Sequence, residues 1–299
     1  MPELPEVQTT VNGLNRTIKN LKITDVWSDY FLRTKNKRED VIKNKGFFEH
    51  FREEVVGEKV KNTERRGKNI LIHLTNNKTI LAHMKMTGHF LYGKYLWENK
   101  KWRSNEKLLS DPFNKFIHLL FTFSNKKHLA FSDMRKFAKV TLFETSKRNE
   151  VIDLTILGPE SIPGLSLETL KKQLLKKPNG KIKTVLMDQT ILAGIGNIYS
   201  DEILWTAEIH PERKTSNLKD KELKTMWKAI KTILTKSIKM GGDSMSDYRN
   251  VDGKRGRFQN SHKVYQRTEE KCLKKDCRGI IMRKIIGGRT SHFCNVHQK

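Results

Sequence analysis

Residues 69–84 read Asn69-Ile-Leu-Ile-His-Leu-Thr-Asn-Asn-Lys-Thr-Ile-Leu-Ala-His-Met84. Ile70, Ile72 and Leu74 alternate with Leu71 and His73, and a second apolar stretch resumes after Asn76-Asn77. An extended chain sends successive side chains to opposite faces, and paired asparagines tolerate the dihedrals that reverse it. The stretch therefore predicts two antiparallel strands. The same short rhythm recurs at 116–123, 128–132 and 138–143, with Ser124-Asn125 between two of the segments. From about 21 to 144 the chain reads as an antiparallel sandwich or barrel.

On both sides of this region the period is helical. Val7, Val11, Leu14 and Ile18 share one face of a helix over 4–18, and Pro5 and Glu6 suit its first turn. After Gly158-Pro159 the spacing predicts helices over 166–176, 181–188, 197–207 and 219–240. Residues 241–262, rich in Gly, Asp, Ser, Asn and Arg, read as a long functional loop. The expected α+β organisation is three domains, 1–148, 149–262 and 263–299, with a basic cleft between the two larger lobes.

Lys and Arg number 59 against 33 Asp and Glu, a formal charge of +26 in 299 residues. Such a chain seeks a polyanion, and nucleic acid is the first expectation; a lysine-biased proteome is the bland alternative. A chain of this size can bury roughly three quarters of its unfolded surface, so a sizeable core is available. No run of ~18 apolar residues predicts a membrane span, and no signal-peptide pattern is read at the N-terminus. Three clustered cysteines argue against a disulfide framework and for a reducing compartment, cytoplasmic and nucleoid-associated, or nuclear in a eukaryotic source.

Those cysteines carry chemistry. Cys272, Cys277, Cys294 and His297 form two close pairs around a hairpin-length insert, the spacing of a closed, structural tetrahedral zinc site. His292 competes with His297 as fourth ligand, and incidental Cys and His in a basic tail is the bland alternative. Arg289, after Gly287-Gly288, could meet a phosphate bidentately or stand solvated. Gly194-Ile-Gly-Asn-Ile-Tyr199 lies between two expected helices, so it reads as an anion-binding helix start or a tight turn. Met1-Pro2 has two readings as well. Pro2 and Glu3 simply start a helix, or Met1 is removed and Pro2 becomes a secondary amine able to attack a deoxyribose C1′. In the second reading Glu3 transfers protons.

Together these motifs resemble the formamidopyrimidine-DNA glycosylase/endonuclease VIII family over essentially the whole chain. The resemblance runs from Met1-Pro-Glu-Leu-Pro-Glu-Val7 through His83-Met-Lys-Met-Thr-Gly88, Asp133-Met-Arg-Lys-Phe137 and Gly194–Tyr199 with Glu202 to the finger. It implies an N-terminal β-sandwich with a leading helix, a helix–two-turn–helix domain and a β-hairpin zinc finger. It also implies Pro2 as Schiff-base nucleophile, Glu3 as its acid/base partner, and Lys68 in proton transfer and phosphate contact. Met86, Arg135 and Phe137 would fill the gap left by a flipped nucleotide. Asn197, Lys183, His83 and Tyr265 would bind phosphates, Arg289 would clamp one, and the 241–262 loop would lie near the extruded base.

The implied activity is a bifunctional glycosylase/lyase removing oxidised purines from double-stranded DNA by β,δ-elimination. The enzyme would be monomeric, with Zn2+ and no membrane partner. Leu4, Arg135 and Phe137 favour this over an endonuclease VIII-like enzyme for oxidised pyrimidines; a non-catalytic DNA-binding protein is the rival from another class. Several positions depart from the family pattern. Met134 stands where proline is usual, Ala138 where glycine is usual, the Cys272–Cys277 spacing is wide, and His297 replaces a cysteine. A DNA-contacting histidine has only Phe116 or His118 as a counterpart, and 94–112 reads as an unplaced insertion.

Overall fold

Helix α1 (Leu4–Thr17) buries Leu4, Val7, Val11 and Leu14, the stripe their spacing predicts. In this computed structural model, which describes residues 1–32 and 39–299, α1 is followed by β1 (Ile23–Ser28), α2 (Lys45–Val55), β2 (Val60–Arg66), β3 (Asn69–Leu74), β4 (Lys78–His83) and β5 (His89–Gly93). Then come β6 (Leu96–Glu98), β7 (Lys101–Arg103), β8 (Ile117–Phe123), β9 (His128–Ser132), β10 (Lys139–Glu144) and the short α3 (Ile152–Thr155). Two four-stranded antiparallel sheets result, ordered β1-β8-β9-β5 and β10-β4-β3-β2. Ile70, Ile72 and Ile80 of one sheet meet Leu119, Phe121 and Phe131 of the other in a single core, so the alternation resolves as a sandwich. Leu71 and Leu81, on the opposite face, are covered by Leu154, which is why β3 is apolar on both sides.

Two features depart from the strand reading of 21–144. Helix α2 interrupts it: the Asn44 side chain accepts from the Phe47 N–H, and Phe48, Phe51 and Val55 turn inward. Residues 94–112 contain the β6–β7 hairpin, whose Trp97 and Trp102 face one another across the strands. Both meet Trp27 edge-on, with ring centroids 5.3 and 6.1 Å away. With Tyr95 and Leu109 the segment covers the outer face of the first sheet at Leu91, Leu120 and Ala130. The segment thus covers apolar surface that would otherwise be wet.

Beyond α3, the chain forms α4 (Leu167–Leu174), α5 (Ile182–Met187), α6 (Asn197–Ala207) and α7 (Asp220–Lys239), then the hairpin β11 (Ile281–Ile286) and β12 (Arg289–Cys294). Gly287 and Gly288 turn that hairpin at φ +57° and +73°, values that favour glycine. The observed grouping differs from the three expected segments. Met1–Thr155 with Met240–Arg257 makes one unit, and Ile156–Lys239 with Phe258–Lys299 makes the other. The finger does not stand apart, because Ile281, Cys272 and Cys294 share a core with Trp205 of α6 and Val264. The loop after α7 lies on α1: Arg16 pairs with Asp252 at 2.6 Å, and the Tyr248 hydroxyl donates to the Glu6 carbonyl at 3.0 Å.

Gly13 permits that approach. A Cβ there would sit 1.9 Å from Val251 Cγ2. Gly13→Ala gains about 1 kcal/mol of helix propensity but incurs roughly 1–3 kcal/mol of overpacking. The substitution is expected to lower the urea midpoint in wild-type background and to raise it when made in Val251→Ala. A gain in both backgrounds would contradict this packing.

Candidate active site and nucleic-acid interface

The first unit presents three linked groups of side chains. Pro2 and Glu3 are buried at the start of α1, while Met1 is exposed. Glu3 is the N-cap and forms a capping box with Glu6. Glu6 Oε2 accepts from the Glu3 N–H at 2.8 Å, and Oε1 accepts from the Asp243 N–H at 2.7 Å. One carboxylate therefore holds the chain start and the 240–257 loop together. Gly242 allows this, with φ +84° and only 2.9 Å between a would-be Cβ and Glu6 Oε1.

Lys68 lies buried in the β2–β3 turn, and its charge is felt at His83, the last residue of β4. His83 Nδ1 accepts from the Lys85 N–H at 3.0 Å. Burial, followed by the charges of Lys85 and Lys68, pushes its pKa down to about 3. The ring is therefore neutral at physiological pH, with its proton on Nε2, where it can donate.

The third group is organised by Asp133, which is completely buried. Its Oδ1 accepts from the Thr87 hydroxyl at 2.6 Å; its Oδ2 accepts from the Ala138 N–H at 2.8 Å and the Tyr30 hydroxyl at 3.0 Å. Burial and the Asp133 charge hold the Tyr30 phenol well above its ordinary pKa, so it remains a donor. The Arg135 N–H reaches Thr87 Oγ1 at 3.2 Å. The carboxylate thus joins the turn carrying Met86 to the loop carrying Arg135 and Phe137. Met86 and Phe137 are 38% and 50% exposed, unusual for large apolar side chains at the mouth of a sandwich. The Arg135 guanidinium stacks on the Phe137 ring, 4.4 Å from its centroid. Ala138 stands in the glycine position without a left-handed φ; Lys136 takes that conformation instead, at +53°. His118 is bound to Asp29 at 2.7 Å, and the Phe116 carbonyl accepts from the Asp133 N–H.

The second unit builds a separate cleft of about 640 Å³, lined by Asn197, Tyr265, Arg283, Arg289 and His292. Asn197 opens α6 after Gly196, and Gln189 stitches the preceding loop by accepting from Gly194 N–H and donating to the Ile195 carbonyl. The Asn197 side-chain oxygen is buried without a hydrogen-bond partner. Glu202 accepts from the N–H groups of Lys263, Val264 and Tyr265 at 2.9–3.0 Å, which fixes Tyr265. Lys183 corrects the expectation of a phosphate contact. It is fully buried, bound to Asp201 Oδ1 at 2.6 Å and to the Asn197 carbonyl at 2.9 Å, so its charge is spent inside the protein. Asp201 also accepts from Ser291 Oγ and the His292 N–H, and so pins β12 to α6. Lys183 and Asp201 act as the strut beneath the cleft; their pairing was invisible in the sequence because the partners lie eighteen positions apart across a loop.

In the finger, Cys272, Cys277, Cys294 and His297 each offer one ligating atom, all within 4.8 Å of one another. Three thiols and an imidazole at this spacing fit a tetrahedral metal ion. His297 turns Nδ1 toward Cys272 and Cys277, while Nε2 lies 3.2 Å from the Trp205 carbonyl. His292 is occupied by Asp201, which settles the choice between the two histidines.

The neutral His83 has a consequence for stability. The unfolded chain takes up this proton as pH falls below 6.5, the folded chain only near 3, so stability drops across that window. His83→Gln is expected to lose less stability than wild type between about pH 7 and about pH 4, read as urea midpoints. Equal losses would contradict a buried neutral ring.

Known proteins match this chain over essentially its full length. The formamidopyrimidine-DNA glycosylase N-terminal domain matches residues 1–140, and that family's H2TH domain matches residues 157–249. The formamidopyrimidine-DNA glycosylase of Bacillus cereus (strain ATCC 14579) is 34% identical over 298 residues, spanning 100% of this chain and 99% of its own. That of Bacillus subtilis is 35% identical, covering 98% of each. Lactococcus lactis Fpg in complex with DNA containing an abasic site superposes with a TM-score of 0.82 at 31% identity, covering 99% of both chains. A Lactococcus lactis mutant complex with Fapy-dG DNA gives 0.83, covering 100% of both chains. On its full-length relatives and on both matching domains, this chain belongs to the formamidopyrimidine-DNA glycosylase family.

Proposed function

We propose that the protein is a bifunctional DNA glycosylase and abasic-site lyase that removes oxidised purines, formamidopyrimidines and 8-oxoguanine, from double-stranded DNA. Full-length similarity to formamidopyrimidine-DNA glycosylases supports the class, as do related proteins described in complexes with Fapy-dG and with carbocyclic 8-oxoG. The observation that carries the chemistry is Pro2 standing next to the Glu3–Glu6 capping box, which holds the chain start in one conformation.

Removal of Met1 leaves Pro2 with a secondary amine. Its nitrogen bonds to C1′ as the C1′–base bond breaks, and Glu3 serves proton transfer to the sugar or the departing base. The nitrogen then loses its proton, and its lone pair expels O4′ as the C1′–O4′ bond breaks and Glu3 protonates O4′; the resulting iminium acidifies C2′–H. Removal of that proton expels the 3′ phosphate, and a second elimination expels the 5′ phosphate. Lys68 beside the site contributes proton transfer and a phosphate contact, and its charge favours the neutral, nucleophilic amine. Met86, Arg135 and Phe137, held by Asp133, fill the space of an everted nucleotide; the apolar groups offset lost stacking and the guanidinium meets the orphaned base. His83 donates to phosphate as a neutral ring, and Asn197, Tyr265 and Arg289 hold phosphates. Cys272, Cys277, Cys294 and His297 would hold Zn2+, which would cross-link the finger; His297 would offer Nδ1, since its Nε2 lies against the Trp205 carbonyl. The enzyme acts as a monomer in the cytoplasm. Among the described residues, no helix is long and apolar enough to cross a membrane.

Borohydride is expected to trap a covalent adduct between processed protein and lesion-containing or abasic duplex. Protein that retains Met1 should give neither adduct nor strand cleavage, because its Pro2 nitrogen is an amide. Full lyase activity with Met1 in place would overturn Pro2 as nucleophile. Stripping the finger of metal should weaken duplex binding while leaving the β-sandwich folded, as judged by its circular dichroism. Undiminished affinity in demonstrably metal-free protein would remove the finger from the binding surface.

A further inference from the structure

Helix α7 presents a face that none of the sequence motifs includes. From Lys221 to Lys239 every exposed position is lysine or threonine. The lysines are Lys221, Lys224, Lys228, Lys231, Lys236 and Lys239. At 3.6 residues per turn these positions share an arc of about 140°, and the stripe runs about 27 Å along the helix. The opposite arc holds Leu223, Met226, Ile230, Ile233, Leu234 and Ser237, all buried.

The positive charge on this face is left uncompensated. The two acids of α7 are engaged at its start: Asp220 pairs with Lys171 at 2.8 Å, and Glu222 pairs with Arg213 and accepts from the Lys219 N–H at 2.7 Å. Among the described residues, no carboxylate pairs with any of the six lysines. Lysines at i, i+3 and i, i+4 repel one another, so the stripe does nothing for the helix itself. A lysine-rich composition does not explain it, because α2 of the same chain exposes Glu49 and Glu53 beside Lys45 and Arg52.

The stripe also faces away from the cleft lined by Asn197 and Arg289. Ser237, on the buried arc, lies 2.6 Å from the Tyr199 hydroxyl of α6, so α6 and its first residue Asn197 stand behind α7. A protein partner needs an apolar centre to its contact, and a lipid surface needs an apolar face to insert; the exposed arc of α7 offers neither. Ammonium and hydroxyl groups without apolar neighbours suit a phosphodiester backbone, whose charge repeats every ~1.7 Å along a duplex.

We propose that the outward face of α7 binds the phosphate backbone of a second DNA segment, independently of sequence and of damage. Under the function proposed above, the first segment occupies the cleft of Asn197 and Arg289, so one chain holds two segments at once. A protein leaving one segment is then already tethered to another, where its local concentration is high.

The test counts duplexes per chain. A short undamaged duplex carrying a fluorophore is titrated at several salt concentrations, with stoichiometry read by sedimentation. Wild type is compared with the triple variant Lys224→Gln, Lys228→Gln, Lys231→Gln and with the corresponding arginine triple. Both replacements are good helix formers at exposed positions, and circular dichroism checks that each variant is folded. Wild type is expected to bind two duplexes. The glutamine triple should bind the first as wild type does and the second roughly tenfold or more weakly, with the salt slope of that second step shallower by about 2–3. The arginine triple should keep the second duplex, and all three proteins should cleave a short abasic duplex at the same rate. One duplex per wild-type chain, or a second duplex held equally well by the glutamine triple, would overturn the inference. So would loss of the second duplex in the arginine triple, or lysine-dependent binding of phosphatidylglycerol vesicles or polyglutamate with no second duplex. Wild-type protein that binds no duplex at all would instead sink the underlying functional reading, and the inference with it.

Discussion

The Glu6 carboxylate ties the start of the chain to a loop more than two hundred residues away. It has no role of its own in the proposed chemistry, yet its two oxygens accept from the backbone N–H groups of Glu3 and Asp243, 237 positions apart from Glu6 in the second case. Removing it would take this acceptor from two buried donors, and a buried donor left unsatisfied costs about 1–3 kcal/mol. A chain terminus is ordinarily the most mobile part of a protein. Here the terminus is a capped helix start with a buried acceptor behind it, and the proposed nucleophile inherits that fixity.

The same device recurs. Asp133 gathers donors from Thr87, Tyr30 and Ala138; Asp201 gathers Lys183, Ser291 and His292; Glu202 gathers three successive backbone N–H groups. In a chain with 26 more cationic than acidic side chains, carboxylates are scarce. Several of them are placed inside, as organisers of loops, while the cations remain available to a polyanion. Buried charge is costly unless fully hydrogen-bonded, and these groups are surrounded by donors. Lys183 shows the converse: a lysine beneath the cleft lined by Asn197 and Arg289 that serves the scaffold.

Much of this was legible from periodicity. The β3–β4 pair and the helices from α4 to α7 appear within a residue or two of their expected positions, because each has a face that must be buried. Helix α2 was not legible, since its three buried residues sit inside a stretch already read as strand. Residues 94–112 were opaque for a different reason: their pattern answers to the outer face of a sheet whose order is not written locally. The Cys–His pairs, with their local spacing, were readable. The pair Lys183–Asp201 was not, because an ion pair between distant segments leaves no spacing to detect.

The hairpin over the first sheet gives the molecule an internal optical label. Trp27, Trp97 and Trp102 stand within 6.1 Å of one another by ring centroid, close enough for their excited states to couple, whereas Trp205 and Trp227 belong to the other unit. Near-ultraviolet dichroism from the indole trio therefore reports on the sandwich alone and gives the first unit a spectroscopic signature separable from that of the helices and finger.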